Sequence, residues 1–128
     1  MNPHTFDMAA HETRLDRLIA GSFSASYMSN SKWRRLFLAL EQSDVPIPKL
    51  RWKFVGREEP VTGATPDESC LGTQYITRTS FSAFPYKEIE WVEIPELKEL
   101  PPAALAVGLF ETETCSGGVR VYGYKSGT

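Results

Sequence analysis

Two pairs of glutamates are the residues of this sequence whose type and spacing could support carboxylate chemistry. Glu88 and Glu90, and likewise Glu111 and Glu113, are separated by one residue in segments that contain β-branched and aromatic residues. In a β-strand this spacing places both members on one face, with roughly 7 Å between their Cα atoms. Such pairs could act as acid and base on a sugar or bind a hard cation. Because the sequence gives no signal for a cleft, we interpret them as exposed residues of a solvated sheet face, and neither catalysis nor metal binding is predicted.

The sequence is poor in the other residues that carry chemistry. Its two histidines, His4 and His11, lie near the N-terminus, and its two cysteines, Cys70 and Cys115, are far apart. The body of the chain therefore has no histidine for a Ser–His–Asp or Cys–His nucleophile pair. Two separate cysteines cannot form a four-thiolate zinc site, and we expect both to be reduced. The "SGG" at residues 116–118 is typical of a hairpin turn rather than a phosphate-binding loop. No catalytic residue, metal or cofactor is predicted.

Length and composition fit one globular domain. The chain has 128 residues, of which 41% are hydrophobic and 12% aromatic, which is enough for one packed core. Its longest apolar run, residues 103–110, is shorter than the about 20 residues that cross a bilayer. The first segment contains acidic residues where a secretory signal would be apolar. We therefore expect a cytoplasmic protein without a membrane partner.

Charge is distributed unevenly along the chain, although the net charge is only −2. Residues 31–57 contain seven Lys and Arg against two acids, and residues 58–113 contain eleven acids against three bases. Adjacent strands of opposite charge can pair with each other, and an acidic face can also bind a basic partner. Both interpretations remain open from the sequence.

The first 27 residues differ from the rest of the chain. They contain one short apolar cluster at helical spacing, followed by a stretch of Gly, Ser and Ala. We predict that residues 1–27 are a flexible N-terminal extension and that residues 28–128 form a single α+β domain. A docked helix over residues 10–20 is the alternative.

An amphipathic helix is predicted directly after Met28. Ser29 and the two residues that follow it are good N-cap residues. Apolar residues then recur at i, i+3, i+4 and i+7, which is the stripe of a helix that packs on a core: Trp33, Leu36, Phe37 and Leu40. Arg34 and Arg35 stand near the helix N-terminus, where positive charge opposes the helix dipole. The preferred interpretation is that these side chains reach the acidic strands. The alternative makes both arginines candidate partner-binding residues.

The remainder of the chain has the alternation and turn residues of β-structure. Strands are predicted over residues 49–56, 74–80, 86–94, 107–115 and 119–124, with a loop over residues 57–72 and a short helix within residues 96–105. The predicted fold class is α+β, with the N-terminal amphipathic helix packed on a mainly antiparallel sheet of about five strands.

The predicted strand over residues 86–94 has one apolar and one acidic face. Ile89 and Trp91 alternate with Glu88 and Glu90, so we expect the aromatic residue inside and the glutamates outside. A β-bulge near residues 91–92 would return Ile94 to the buried face.

Three stretches together, "SNSKWRRLF", "WKFVG" and "YKEIEWVEI", resemble the bacterial domain-of-unknown-function family DUF6678. The resemblance spans about residues 29–125 and rests on these positions: Lys32, Trp33, Leu36, Phe37, Trp52, Tyr86, Ile89, Glu90, Trp91 and Ile94. It implies no catalytic residue and no known activity.

Three functions are compatible with these observations. The leading hypothesis is a non-enzymatic protein-binding domain, such as a bacterial immunity-type or accessory protein, whose acidic sheet face binds a basic protein partner. Its candidate binding residues are Glu88, Glu90, Glu111, Glu113, Arg34 and Arg35. One alternative is a small-ligand binder or enzyme with a pocket near the loop over residues 57–72, which would use Asp67, Glu68 or Cys70. The other is a nucleic-acid-associated module that uses the basic helix and first strand, although net acidity makes a nucleic-acid partner unlikely.

Overall fold

The computed structural model describes residues 8–78 and 82–126, and it has the predicted α+β architecture. The helices are α1 (Met8–Ser22), α2 (Asn30–Glu41) and α3 (Pro102–Leu105). The strands are β1 (Ala25–Ser26), β2 (Lys49–Phe54), β3 (Val61–Ala64), β4 (Tyr75–Arg78), β5 (Ser82–Pro85), β6 (Ile89–Pro95), β7 (Thr112–Cys115), β8 (Gly118–Tyr122) and β9 (Tyr124–Lys125). Two 3-10 turns occupy Glu68–Cys70 and Tyr86–Glu88. Across the described ranges, no helix is long and apolar enough to cross a membrane.

Helix α2 begins and packs as the sequence predicts. Ser29 is its N-cap, and the Ser29 Oγ accepts a hydrogen bond from the Lys32 N–H at 3.2 Å, which satisfies one of the free amides of the first turn. The predicted stripe is buried and forms one side of the hydrophobic core: Trp33, Leu36, Phe37 and Leu40. Burial of these four large side chains is the main force that holds α2 on the sheet.

A five-stranded antiparallel sheet in the order β3-β2-β6-β8-β7 forms the centre of the molecule. The antiparallel register places Trp52, Val92 and Val121 side by side on three neighbouring strands. These residues are fully buried and belong to the same core cluster as the α2 stripe. This side of the sheet is called the core face below, and the opposite side is called the polar face.

The segments between predicted strands contain more structure than the sequence suggests. Residues 57–72, expected to be a loop, form β3, which pairs with β2. Residues 82–85, expected to separate two strands, form β5, which pairs with β4, while residues 79–81 lie outside the described ranges. β3 and β5 are each only four residues long, β3 contains Gly63 and β5 ends at Pro85, so neither has a strong strand pattern. Both strands depend on the hydrogen bonds that a neighbouring strand offers.

The β7–β8 hairpin confirms the turn predicted at residues 116–118. Cys115 and Gly118 are paired, so Ser116 and Gly117 form a two-residue loop. Gly118 has φ 156°, and a Cβ at this position would overlap the carbonyl oxygen of Ile94 on the neighbouring β6. Glycine is therefore required at residue 118 for the close approach of β6 and β8.

The N-terminal segment forms α1 and β1, and both contact the rest of the chain. Leu15 of α1 is 4% exposed. Asp16 accepts a hydrogen bond from the Lys87 Nζ at 2.9 Å. β1 pairs with β9, and the Phe23 ring stacks on Tyr124 with the centroids 5.2 Å apart. These contacts favour the docked-helix alternative. That residues 28–128 fold stably without residues 1–27 stays a prediction.

Substitution of Leu15 tests whether α1 is part of the core. We expect Leu15→Ala to lower the free energy of unfolding by about 2–3 kcal/mol, because it removes a buried leucine side chain. Leu18→Ala is the matched control, since Leu18 is 42% exposed on the same helix and its loss should cost less than about 1 kcal/mol. Urea denaturation of both variants measures the difference. Equal, small losses would instead support an extension that is dispensable for folding.

Candidate functional site

The polar face of the sheet carries a continuous set of charged and aromatic side chains. The strand register places these side chains in rows across the sheet. One row contains four residues, on β2, β6, β8 and β7 in turn: Arg51, Glu93, Arg120 and Glu113. A second row across the same face contains Lys53, Trp91 and Tyr122. No helix of the core cluster covers this side, because α2 and α3 pack on the core face.

A buried carboxylate lies at the centre of the polar face. Glu93 is only 2% exposed, and its Oε2 accepts a hydrogen bond from the Arg120 Nε at 2.9 Å. Its Oε1 lies 3.5 Å from an Arg51 guanidinium nitrogen. A Cβ on Gly117 would come within 2.9 Å of the same Oε1, so the hairpin turn leaves room for the carboxylate. A buried charge is stable only when it is paired and hydrogen-bonded, and two arginines supply that here.

The arginine that binds Glu93 also covers an aromatic ring. The Arg120 guanidinium lies 4.0 Å from the centroid of the Trp91 ring, a short cation–π contact. Trp91 is 6% exposed even though it belongs to the polar face. Arg120 therefore makes two contacts at once, one with the buried carboxylate and one with the indole. The centre of the polar face is thus already occupied by side chains that bind each other.

The margin of the polar face toward β7 is more open. Glu111 accepts a hydrogen bond from the Lys125 Nζ at 3.1 Å, with its side chain 41% exposed. Glu113 is exposed and accepts a hydrogen bond from the Tyr122 hydroxyl at 3.1 Å. Within residues 8–78 and 82–126, no cation lies within ion-pair distance of Glu113. This margin, made of Glu111 and Glu113, is called the β7 acidic margin below.

Hydrogen bonds and burial shift the pKa values of Glu113 and of two neighbours of the β7 acidic margin, Tyr122 and Lys125. The Tyr122 hydroxyl lowers the pKa of Glu113 below its usual value, with a smaller contribution from the Cys115 thiol. The hydrogen bond to Glu111 raises the pKa of Lys125. Burial raises the pKa of Tyr122, which keeps its hydroxyl protonated as a donor. Glu113 is therefore a fixed negative charge at neutral pH.

Glu88 and Glu90 do not share an outward face, so this prediction was wrong. Glu88 lies in the 3-10 turn before β6, is 9% exposed, and its Oε2 is 3.2 Å from the His11 Nε2 of α1. Glu90 lies at a register shift, since Lys53 pairs with Trp91 while Phe54 pairs with Ile89. The bulge therefore falls at residue 90 rather than at residues 91–92. It sends Trp91 to the polar face and keeps Ile89 on the core face.

The two candidate arginines lie on α2 and so on the other side of the sheet from the β7 acidic margin. Arg35 is exposed, whereas Arg34 is half-buried and its Nε has no hydrogen-bond partner among the described residues. Burial raises the pKa of Tyr86 to about 12, and the nearby Arg34 charge opposes that shift. The six candidate binding residues therefore do not form one surface: Glu111 and Glu113 lie together on the polar face, and the two arginines lie on α2.

The segment proposed as an alternative ligand site is organised as a turn. The exposed Asp67 carboxylate accepts hydrogen bonds from the Ser69 hydroxyl and the Cys70 thiol, and these bonds lower the pKa of Asp67. The Glu68 N–H donates to the Glu41 Oε2 at 3.1 Å. Both cysteines of the chain are free thiols. No group of three or more His, Cys, Asp or Glu side chains in the described part of the chain could hold a metal ion.

Glu93, Arg120 and Tyr122 were not identified from the sequence. A usable local signal existed for Arg120, because a two-residue turn at residues 116–117 pairs residue 113 with residue 120. No local signal exists for the contact of Arg120 with Glu93, since β6 and β8 are separated by α3 and β7 in the chain. The central contact of the polar face is non-local.

Comparison with known proteins identifies the family. The model of DUF6678, a family of unknown function, matches residues 15–107, and the chain therefore belongs to this family. The match begins inside α1, earlier than the resemblance expected from residue 29, and ends before β7. No curated protein and no solved structure matches the chain.

Glu93→Gln tests whether the buried carboxylate organises the polar face. We expect this variant to lose about 2 kcal/mol or more of stability, because it leaves Arg120 and Arg51 without a buried counter-charge. Glu113→Gln makes the same chemical change at an exposed position and should have a much smaller effect. Denaturant midpoints of the two variants give the comparison. Equal midpoints would show that Glu93 is no more important to the fold than a surface acid.

Proposed function

We propose that this member of DUF6678 is a non-enzymatic protein-binding domain that binds a basic protein through the β7 acidic margin. The observation that carries the proposal is the contrast across the polar face. Glu93 at its centre is enclosed by two arginines, whereas the Glu113 carboxylate at its margin is exposed, ionised and without an ion pair among the described residues. A fixed, solvated negative charge of this kind attracts a cationic partner over a Debye length.

The surrounding chain adds negative charge at the same end of the molecule. Residues 96–115 contain four glutamates against one lysine, a net charge of −3. The Thr114 hydroxyl donates to the carbonyl oxygen of Lys98 at 2.7 Å, which holds the loop containing Glu96 and Glu99 against the core-face side of β7. The acids of this loop are exposed. Together they extend the negative potential of the β7 acidic margin.

A nucleic-acid function has less support from the geometry. Of the cations expected on such a surface, Arg51 pairs with Glu93 and Lys53 pairs with Glu90 at 3.1 Å. Arg34 and Arg35 are on α2, which packs on the opposite side of the sheet. Phosphate binding would have to compete with the existing ion pairs of the strand cations.

Carboxylate catalysis near residues 57–72 also has less support. A general acid or base works best with a pKa near the working pH, and the hydrogen bonds to Asp67 move its pKa in the opposite direction. Asp67 directly precedes the 3-10 turn Glu68–Cys70, and its hydrogen bonds are to the side chains of two residues of that turn, Ser69 and Cys70. Local contacts within the turn account for the polar side chains of this segment without a ligand.

The class that we propose is a bacterial, cytoplasmic protein of the immunity or accessory type. Proteins that neutralise a basic partner need rapid association, and complementary charge raises the association rate constant well above the uncharged value. A small acidic domain with a rigid sheet suits that task, since little conformational freedom is lost on binding.

Paired charge reversals test the proposal. Glu111→Lys with Glu113→Lys should abolish the selective capture of a basic protein from the native host and slow its association by about tenfold or more. Glu58→Lys with Glu59→Lys is the matched control, because it changes the net charge equally in an exposed loop away from β7. Surface plasmon resonance at several salt concentrations measures both rate constants.

Only a site-specific effect supports the proposal. The wild type and the Glu58/Glu59 control should bind with similar rates and similar salt dependence. Equal losses in both double variants would indicate a general charge effect without a defined site. Full binding by the Glu111/Glu113 variant would remove the β7 acidic margin from the function.

A further inference from the structure

We infer that the β7 edge of the sheet accepts an extended strand of the partner, in which basic and apolar residues alternate, by β-strand addition. This inference rests on the proposed function and specifies how the partner binds. β7 is an edge strand whose only strand neighbour in the five-stranded sheet is β8. Edge strands expose unpaired backbone groups that can form hydrogen bonds to a further strand.

The register shows which backbone groups are available. The Tyr122 N–H donates to the Glu111 carbonyl at 2.9 Å, so the backbone N–H and C=O of Glu111 are directed toward β8. In an antiparallel pair the direction alternates from residue to residue. Thr112 and Thr114 therefore direct their N–H and C=O groups away from β8, and both residues are exposed. They provide the donors and acceptors for an added strand.

The opposite edge of the sheet is protected, unlike β7. β3 is the other edge strand, and Pro60 and Pro66 stand close to its two ends. Proline has no N–H and limits the length of any strand that could pair there. No proline lies within residues 103–115, which include β7 and its approach. The sheet is therefore open to strand addition at one edge.

The two sides of β7 define the chemistry of the incoming strand. Glu111 and Glu113 belong to the polar face, and neighbouring residues of an added strand would carry positive charge on that side. Phe110 and Thr112 belong to the core-face side, where Phe110 packs against the core cluster. An apolar residue there would extend the hydrophobic contact. Leu109, which is 90% exposed just before β7, provides further apolar area for the same strand.

A second copy of this chain does not fit the same edge. Antiparallel pairing of two β7 strands would place glutamates of one copy beside glutamates of the other on the polar face. Directly opposed like charges destabilise a strand pair. The charge on the edge therefore disfavours self-association and favours a cationic strand.

A short synthetic peptide in which lysine and valine alternate is the probe for this inference. Isothermal titration calorimetry should show binding to the full-length protein and about tenfold or greater loss on Thr112→Pro, which removes an outward N–H and blocks the edge. Thr62→Pro is the matched control on β3. The Thr65 N–H donates to the Pro48 carbonyl of the chain leading into β2, and because backbone direction alternates from residue to residue, the Thr62 N–H points away from β2. The control should bind the peptide like the wild type.

A second peptide separates the backbone contribution from charge without altering the protein. The same sequence with every backbone amide N-methylated keeps every side-chain charge but loses its backbone hydrogen-bond donors, and it should bind at least about tenfold more weakly. If the methylated peptide binds equally well, or Thr112→Pro is without effect, strand addition is wrong. The proposed function is tested separately by the charge reversal. If Glu111→Lys with Glu113→Lys weakens binding but Thr112→Pro and N-methylation do not, strand addition is wrong and the acidic docking surface is retained. An unmodified peptide that fails to bind also overturns the inference.

Discussion

The buried Glu93 carboxylate is the constraint on which the arrangement of the polar face depends. It lies in the middle strand of the five-stranded sheet, and Arg120 and Arg51 approach it from the two neighbouring strands. Because an unpaired buried charge is strongly destabilising, both arginines must remain directed at it. Arg120 in turn covers Trp91. One carboxylate with two ion pairs therefore fixes the side chains of three adjacent strands.

This constraint also determines which charges of the polar face remain without a partner in the described part of the chain. The cations at the centre of the polar face are bound to Glu93 and Glu90, so the face offers little free positive charge. The free charge is negative and lies at β7, beside backbone groups that β8 does not use. The core face is unavailable because α2 covers it. For these reasons the β7 edge is the surface that we propose for recognition.

The elements that the sequence predicts well are those whose signal is local. The α2 stripe and the Ser29 cap, and the alternation of Leu50, Trp52 and Phe54 in β2, are present as expected. The errors come from features that depend on distant contacts. The 3-10 turn and the bulge at Glu90 reverse the faces expected for Glu88 and Trp91, because the register is set by pairing with β2. Part of the site could be predicted from the sequence. The shared face of Glu111 and Glu113 follows from the local β7–β8 hairpin, whereas the position of Glu93 depends on the pairing of β2, β6 and β8.

Amide hydrogen exchange at the two edges of the sheet measures the central claim most directly. In the free protein the outward amides of Thr112 and Thr114 should exchange rapidly, while the amide of Glu113, directed toward β8, should be protected. Addition of the alternating lysine and valine peptide should protect Thr112 and Thr114 and leave Thr62 at the β3 edge unchanged. Protection of Thr112 and Thr114 already in the free protein, or no change at β7 when the peptide is bound, would contradict the account.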